Sequence, residues 1–147
     1  MDTNARRQGE AALSARRLGP ADGGDACELV SMFYPSCPDG PMMRAWLGDP
    51  RHWMIGGYAG ETPAGLAWGH QLARADGGPD MLLVYSTDVA EAHRRRGLGR
   101  AMMDELRRLK PGSMWLVTNE ANEAAMRLYE SAGGDRPQPD DVVFVWK

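Results

Sequence analysis

A run of arginines and glycines lies where a strongly apolar segment gives way to an amphipathic one. The run reads RRRGLGRA over residues 94–101. If it joins a strand to a helix, the free backbone N–H groups and partial positive charge of the helix N-terminus favour a phosphate there. Gly97 and Gly99 let the backbone approach an anion closely, and four arginines add positive charge: Arg94, Arg95, Arg96 and Arg100. The pattern predicts a phosphate-binding turn, and the alternative is a solvated basic turn.

The spacing of this turn narrows the kind of phosphate ligand. It is not the G-x-G-x-x-G of dinucleotide-binding folds, and no suitably placed acidic residue follows about 20 positions later. It is also not G-x-x-x-x-G-K-[ST], so a loop that hydrolyses nucleoside triphosphates is not expected. The pattern is R-x-x-G-x-G, from Arg94 to Gly99.

A second group of reactive side chains lies in the apolar segment MLLVYSTDV at 81–89, which carries one carboxylate, Asp88. Asp88 can accept a proton directly or through a water, bind an ammonium group, or act as a structural cap. Tyr85 can line a substrate cleft beside this strand. In a regular strand Tyr85 and Asp88 face opposite sides, unless a bulge intervenes.

Hydrophobic periodicity places these residues in a mixed α/β chain. We predict an order of strand, two helices, three strands, helix, strand, helix and strand, which is an antiparallel meander feeding a βαβ crossover. Residues 1–11 are expected to be frayed. The predicted strands are 12–19, 52–59, 63–73, 81–89, 114–118 and 142–146, and the predicted helices are 22–34, 42–47, 98–109 and the segment from Asn122 to Gly133.

Two motifs in the second half resemble the cofactor motifs of the GNAT superfamily of acetyl-CoA-dependent N-acetyltransferases. The first is the R-x-x-G-x-G turn, and the second is N-x-x-A-x-x-L-Y-E-x-x-G, from Asn122 to Gly133. The resemblance implies one N-acetyltransferase domain over residues 1–147 with the α+β mixed sheet of the GNAT acyl-CoA N-acyltransferase fold. Within the superfamily, ARRLGPAD at 15–22 and EAHRRRGLGRAMMDEL at 91–106 are most similar to the small aminoglycoside 3-N-acetyltransferases.

The resemblance implies acetyl-CoA as co-substrate and assigns residues to it. Backbone N–H groups of 95–100 take the pyrophosphate, and Thr87 and Val89 offer backbone groups to the pantetheine arm and the thioester oxygen. Tyr129 is the implied general acid for the leaving thiolate, because a tyrosine pKa of about 10 is close to that of an alkyl thiol; the alternative is a core tyrosine. The implied cofactor-binding set is Thr87, Val89, Arg94, Arg95, Arg96, Gly97, Leu98, Gly99, Arg100, Ala101, Asn122 and Tyr129.

The resemblance also points to Asp88 as the acidic group near the incoming amine. Related 3-N-acetyltransferases carry Tyr-Asp-Leu-Ala-Val on this strand, whereas this chain has YSTDV at 85–89, with the acid two places later and on the same face. The predicted catalytic residues are Tyr129 and Asp88. Carboxylates pair with ammonium groups, so the predicted acceptor-binding residues are Tyr85, Asp88, Asp39, Asp140 and Asp141, with Asp49 as a further candidate. The alternative for Asp39, Asp49, Asp140 and Asp141 is a solvated surface acid.

Several other side chains are considered for the same cleft. Trp46 and Trp53 can wall it, although core packing is the preferred interpretation of each. His52, His70 and His93 can titrate near neutral pH, but the sequence identifies no partner for them.

Composition limits the partners. The 147 residues carry 17 basic and 20 acidic side chains, which gives a net charge of −3. Residues 94–110 carry +5 and the remainder carries −8, so the chain can hold an anion at one place and attract a cationic small-molecule amine elsewhere. Nucleic acid is not expected, because the basic residues occupy one short segment.

The remaining sequence signals are negative ones. No apolar run reaches about 18 residues, and no secretory h-region is visible at the N-terminus. Cys27 and Cys37 form neither a metal-ligand pattern nor a disulfide framework. We expect a cytoplasmic location, no membrane partner and no metal.

The expected activity is acetyl transfer to a primary amine in a ternary complex, foremost to the 3-amine of an aminoglycoside antibiotic, which would give antibiotic resistance. A homodimer is one assembly state open to the chain. The alternatives are a GNAT enzyme for another amine (a polyamine, an amino acid or a protein N-terminus) and a CoA-binding regulatory module without turnover.

Overall fold

One mixed sheet of five strands organises the first part of the chain. A computed structural model describes residues 10–109, 112–136, 138 and 140–147. The strands lie in the order β1–β2–β3–β4–β5; every neighbouring pair is antiparallel except β4 and β5, which are parallel. Their bounds are β1 Leu13–Arg17, β2 His52–Ala59, β3 Thr62–Leu72, β4 Met81–Val89 and β5 Met114–Trp115. The predicted meander and βαβ crossover are confirmed.

Three helices cover the two faces of this sheet. On one face lie α1 (Gly23–Phe33) and α2 (Gly40–Gly48), whose apolar side chains form one core cluster with Met54 and Leu66 of the sheet. The other face packs against α3 (Leu98–Leu109), where Leu98 joins a second cluster with Ala59 and Ala64. The sheet is therefore buried on both sides, and successive residues of each strand face different helices.

The amphipathic pattern of α3 explains its position. Leu98, Met102 and Leu106 are all buried beneath it, whereas the outer face carries an i,i+4 ion pair between Arg100 and Asp104 at 3.0 Å. Such exposed pairs contribute only about 0.3–0.5 kcal/mol. The apolar stripe therefore fixes the helix on the sheet.

A β-bulge interrupts the pairing of β3 with β4. Trp68 pairs with Ser86 and Gly69 pairs with Val84, so Tyr85 is an extra residue on β4. Gly69 is required at this point, because a Cβ there would collide with the carbonyl oxygen of Leu83. The bulge changes which face of the sheet the following side chains occupy.

The chain divides after Val117 into two compact units, and a single domain over residues 1–147 stays a prediction. In the second unit α4 runs from Glu123 to Ser131, and the side chain of Asn122 accepts a hydrogen bond from the Ala125 N–H at 3.2 Å. The predicted N-cap of this helix is confirmed.

Two strand predictions are wrong in extent. β5 ends at Trp115 rather than Thr118, and the predicted last strand over Val142 to Trp146 does not form. All five of those apolar residues are exposed, by 65–86%. A strand needs a neighbour that satisfies its backbone groups, and apolar composition alone does not supply one.

The helices are short relative to a bilayer. In the described part of the chain, none is both long and apolar enough to span a membrane.

Candidate active site

The far end of β4 has one unpaired edge. Within the described residues, β5 pairs with β4 only at Leu82 and Leu83. On the other edge β4 stays paired with β3 to its end, where the Ala90 N–H donates to the Ala64 carbonyl at 2.8 Å. Because hydrogen-bonding direction alternates along a strand, the N–H groups of Val89 and Thr87 point to the open edge. This edge can accept an extended, amide-bearing ligand as if it were another strand.

The basic turn follows this edge directly. A short 3-10 turn at Glu91–His93 leads into it, and α3 begins at Leu98. Arg95 has φ of 60° and Gly97 has φ of 92°. A left-handed conformation is uncommon for a residue other than glycine and is often found at ligand-binding sites. The turn leads into the N-terminus of α3, as an anion site requires.

The arginines of the turn are held by the surrounding backbone and acids. Arg94 Nε donates to the Val89 carbonyl at 3.0 Å, which ties the turn to the end of β4. Arg96 donates to the Ala11 carbonyl at 3.0 Å and lies 3.7 Å from Glu10. Arg100 pairs with Asp104. These contacts keep the positive charge around the turn, and the exposed ion pairs among them are weak enough for a phosphate to compete.

Asp88 is the centre of a hydrogen-bonded chain. Its Oδ2 accepts from Ser86 Oγ at 2.6 Å and from the Tyr34 hydroxyl at 3.1 Å, and Trp68 Nε1 donates to the Tyr34 hydroxyl at 3.1 Å. No described residue hydrogen-bonds to the other carboxylate oxygen, Oδ1. The carboxylate is therefore fixed in orientation and keeps one oxygen for a further proton donor.

Tyr34, Ser86 and Trp68 are site residues that were not predicted from the sequence. The one local signal is at Tyr34, which ends α1 and precedes Pro35. A residue before proline is pushed into extended backbone, and Tyr34 has φ of −127° and ψ of 147°. That turn directs its side chain back over the sheet to Asp88.

Tyr85 lies on the same face as Asp88. Its ring is 4.3 Å from the Trp68 ring, centroid to centroid, and the side chain is 62% exposed. In a regular strand Tyr85 and Asp88 would face opposite sides of the sheet. The bulge at Tyr85 is the exception that places both on the same face. Thr87 faces the other side, where its hydroxyl lies 3.6 Å from Met103 Sδ.

Two of the acidic residues predicted for the acceptor have local partners of their own. Asp39 caps α2 by accepting the Met42 N–H at 2.9 Å. Asp49 binds the backbone and guanidinium of Arg51, and these bonds hold the pKa of its carboxyl well below the usual range. Asp140 and Asp141 are exposed residues of the second unit.

Two histidines and Trp46 form a small cluster. His52 Nδ1 lies 2.8 Å from the Trp46 carbonyl, and its ring stacks on the Trp46 ring at 4.5 Å. His70 meets the His52 ring edge-on at 5.0 Å, and burial, reinforced by the charge of His52, lowers the pKa of His70. Trp53 is only 5% exposed, so its preferred interpretation as a core residue is confirmed.

The second unit contains the other two predicted site residues. Asn122 caps α4, and Tyr129 lies two turns further along the same helix. The backbone carbonyl of Tyr129 accepts the Gly134 N–H at 2.8 Å. The helix thus ends at Ser131, two residues before Gly133, the last residue of the second motif.

Known acetyltransferases resemble this chain in sequence and in fold. The model of the acetyltransferase (GNAT) family matches residues 25–134. The chain is 32% identical over 91 residues to the N-alpha-acetyltransferase RimI of Mycobacterium tuberculosis, a match over 61% of this chain and 56% of that protein. It is 37% identical over 93 residues to a mycothiol acetyltransferase of Thermobispora bispora, over 60% of this chain and 31% of the relative.

A solved structure agrees along most of the chain. An aminoglycoside acetyltransferase from an uncultured soil metagenomic sample, in complex with trehalose, superposes with a TM-score of 0.80 at 15% identity, over 92% of this chain and 97% of that one. At this identity the likeness shows a shared fold. The chain spans about half or less of the length of the two relatives it matches in sequence.

Proposed function

The chain belongs to the acetyltransferase (GNAT) family, and from that membership we propose that it transfers the acetyl group of acetyl-CoA to a primary amine in a ternary complex. The proposal is supported by two features that follow each other directly along the chain. The open edge of β4 ends at Val89, and the glycine-containing turn into α3 begins five residues later, at Arg94. An amide-bearing arm joined to a pyrophosphate, as in CoA, fits these two features in sequence.

The chain supplies backbone groups to both parts of the co-substrate. Bound acetyl-CoA would bring an activated thioester. The N–H groups of Thr87 and Val89 would bind its arm, and a fixed donor near Val89 would stabilise the charge that develops on the thioester oxygen. The N–H groups of residues 95–100 would bind the pyrophosphate at the helix N-terminus. The four arginines at residues 94–100 would add positive charge around it.

Proton transfer falls to two side chains. Asp88 is proposed to receive the proton of the incoming ammonium on Oδ1, while Ser86 and Tyr34 hold Oδ2. Their hydroxyls fix the position of the carboxylate, so that Oδ1 can accept the proton or bind the ammonium. Tyr129 is proposed as the acid that protonates the leaving thiolate.

The resemblance to the small aminoglycoside 3-N-acetyltransferases favours the 3-amine of an aminoglycoside as the acceptor. The charge distribution supports it, because the chain outside residues 94–110 carries −8 and an aminoglycoside carries several ammonium groups. Another primary amine, including a protein N-terminus, is the second candidate. It is favoured by the 32% identity to RimI, whose name describes N-alpha-acetylation.

A thiol-release assay tests the proposal. Purified chain and acetyl-CoA are incubated with gentamicin, kanamycin, apramycin, spermidine, a short peptide with a free N-terminus and simple monoamines. Turnover with any amine supports the acetyltransferase proposal, and turnover confined to simple amines or the peptide removes the aminoglycoside acceptor. CoA binding without turnover on any amine would leave only the regulatory-module alternative.

A pair of glycine variants tests the CoA site itself. Gly97→Glu adds bulk and negative charge where the pyrophosphate is expected, and CoA affinity measured by calorimetry should fall more than about tenfold. Gly77→Glu is the matched control, because Gly77 also has positive φ (74°) and open space around it. Equal CoA affinity in the two folded variants would contradict the assignment of the turn.

A further inference from the structure

A half-open apolar cavity lies between the helices α1 and α2 and the sheet. Its volume is about 240 Å³. Six of its lining side chains come from four elements: Val30, Tyr34, Met43, Trp46, Met54 and Trp68. Two prolines and Ser36 complete the lining, and no acid or base is part of it.

Two of the polar atoms on these rings are already hydrogen-bonded. Trp68 Nε1 donates to the Tyr34 hydroxyl, and that hydroxyl donates to Asp88. The rings of Tyr34 and Trp46 both meet the Trp68 ring edge-on, at 6.3 and 6.1 Å. A hydroxyl or ammonium group entering this apolar lining would lose its water, which is unfavourable unless the group gains a hydrogen bond there.

Tyr34 connects the cavity to the proposed site of chemistry. Its ring lines the cavity, and its hydroxyl lies 3.1 Å from Asp88 Oδ2. An amine placed at Asp88 therefore has the cavity within one side-chain length. A substituent on that amine can enter the cavity while the nitrogen stays at the carboxylate.

We propose that this cavity binds an apolar side group of the acceptor, a single aromatic ring or a branched alkyl group, so that the preferred substrate is a monoamine bearing such a group. The inference rests on the proposed acetyl transfer, and of the two candidate acceptors it favours another primary amine over the aminoglycoside. The size fits, because an apolar cavity of about 150 Å³ is enough for benzene. A sugar bearing several ammonium groups would leave the cavity unused.

The first test compares two acceptors of the same shape. The amine 3,3-dimethylbutylamine carries a neutral tert-butyl group, and (2-aminoethyl)trimethylammonium carries its charged isostere. We expect kcat/KM by thiol release to be at least tenfold higher for the neutral amine. It should also be more than about tenfold higher for 2-phenylethylamine than for 2-aminoethanol, because even one methylene in an apolar pocket changes kcat/KM by about 10- to 200-fold. Preference for the charged isostere would overturn the inference in favour of cation binding on the aromatic faces.

The second test fills the cavity. Val30→Phe should reduce the ratio of kcat/KM for 2-phenylethylamine over 2-aminoethanol at least tenfold. Met32→Phe, on the same helix at a residue that is 43% exposed, should leave the ratio unchanged. If Val30→Phe does not fold, Ser36→Phe at the exposed rim replaces it. An unchanged ratio in a folded cavity variant would overturn the inference.

A binding readout separates failure of the cavity from failure of acetyl transfer. In ¹⁵N-labelled protein, 2-phenylethylamine should shift the indole N–H signals of Trp46 and Trp68 saturably. If no amine releases thiol but these signals shift, the acetyl-transfer proposal fails and the cavity assignment stands. If amines turn over without shifts at Trp46 or Trp68, the cavity assignment fails and acetyl transfer stands.

Discussion

The Asp88 carboxylate is oriented by residues from three parts of the chain. Ser86 comes from the same strand, Tyr34 from the end of α1, and Trp68 from β3 acts through the Tyr34 hydroxyl. Both direct hydroxyl donors bind the same oxygen, so the other oxygen is left for a ligand. Chains of hydrogen bonds of this kind polarise one another in a partly buried setting. The arrangement suits a group that must be held in a fixed place.

The role of the Tyr129 hydroxyl can be tested by removing that group alone. Tyr129→Phe keeps the ring and removes the hydroxyl proton. If that proton goes to the leaving thiolate, turnover should fall by about 10²–10⁴-fold while CoA affinity is retained. Steady-state thiol release and calorimetric CoA titration measure the two quantities. A turnover within twofold of the parent would remove Tyr129 from the mechanism.

His70 gives a prediction about stability and pH. Burial lowers its pKa from the ordinary value of 6.5, so below that pH the unfolded state binds more protons than the folded state. The free energy of unfolding should therefore fall as the pH drops below about 6.5, by at most about 1.4 kcal/mol per pH unit for one proton. Above that value His70 is neutral in both states and adds no pH dependence.

Urea unfolding at pH 7.5, 6.5 and 5.5 measures this effect. His70→Gln removes the titrating group, so its stability should fall less between pH 6.5 and 5.5 than that of the parent. Equal slopes in the two proteins would show that another group causes the acid sensitivity.

At the scale of elements, the bulge between β3 and β4 determines the composition of the site. It places Tyr85 beside Trp68 and returns Ser86 and Asp88 to the face covered by α1 and α2. A one-residue change of register would move Asp88 to the face of α3. The bulge in turn depends on the absence of a side chain at Gly69.

Gly69→Ala tests this dependence. The added Cβ would collide with a backbone carbonyl, so the strands must move apart, and we expect a loss of about 1–3 kcal/mol in unfolding free energy together with loss of turnover. Gly24→Ala in α1 is the control, because a Cβ there meets nothing within 4 Å; it should be neutral or stabilising by up to about 1 kcal/mol. Urea unfolding measures both. A fully active, equally stable Gly69→Ala protein would contradict the role of the bulge.

The elements also show what the sequence could and could not predict. The basic turn, β4 and the cap at Asn122 follow from local glycine, proline and asparagine signals, and each lies where it was predicted. The pair of Tyr34 and Asp88 joins residues 54 positions apart, which no local pattern encodes. The bulge depends on a glycine in the facing strand. The predicted strand at 142–146 had the right composition but no pairing partner among the described residues.

At the scale of the whole molecule, charge is unevenly distributed along the sequence. Residues 94–110 carry +5 and the remainder carries −8. The basic segment contains the turn that leads into α3, so an anionic co-substrate and a cationic acceptor are attracted by different parts of the chain. The cavity beside Asp88 adds a third, uncharged determinant of which amine binds.

Recognition of the acceptor by charge and recognition by the apolar cavity should respond differently to salt. Attraction between the acidic part of the chain and a polycation acts over distance and is screened, because the Debye length falls from about 30 Å at 0.01 M to about 8 Å at 0.15 M salt. The kcat/KM for any aminoglycoside or tetra-amine that turns over should therefore fall severalfold over this range. The kcat/KM for 3,3-dimethylbutylamine should change by less than twofold, because its single charge pairs at close range and its apolar group is insensitive to screening. Initial rates at four salt concentrations, with acetyl-CoA saturating throughout, measure both. An equal salt dependence for the two acceptors would mean that the acidic surface plays no part in choosing between them.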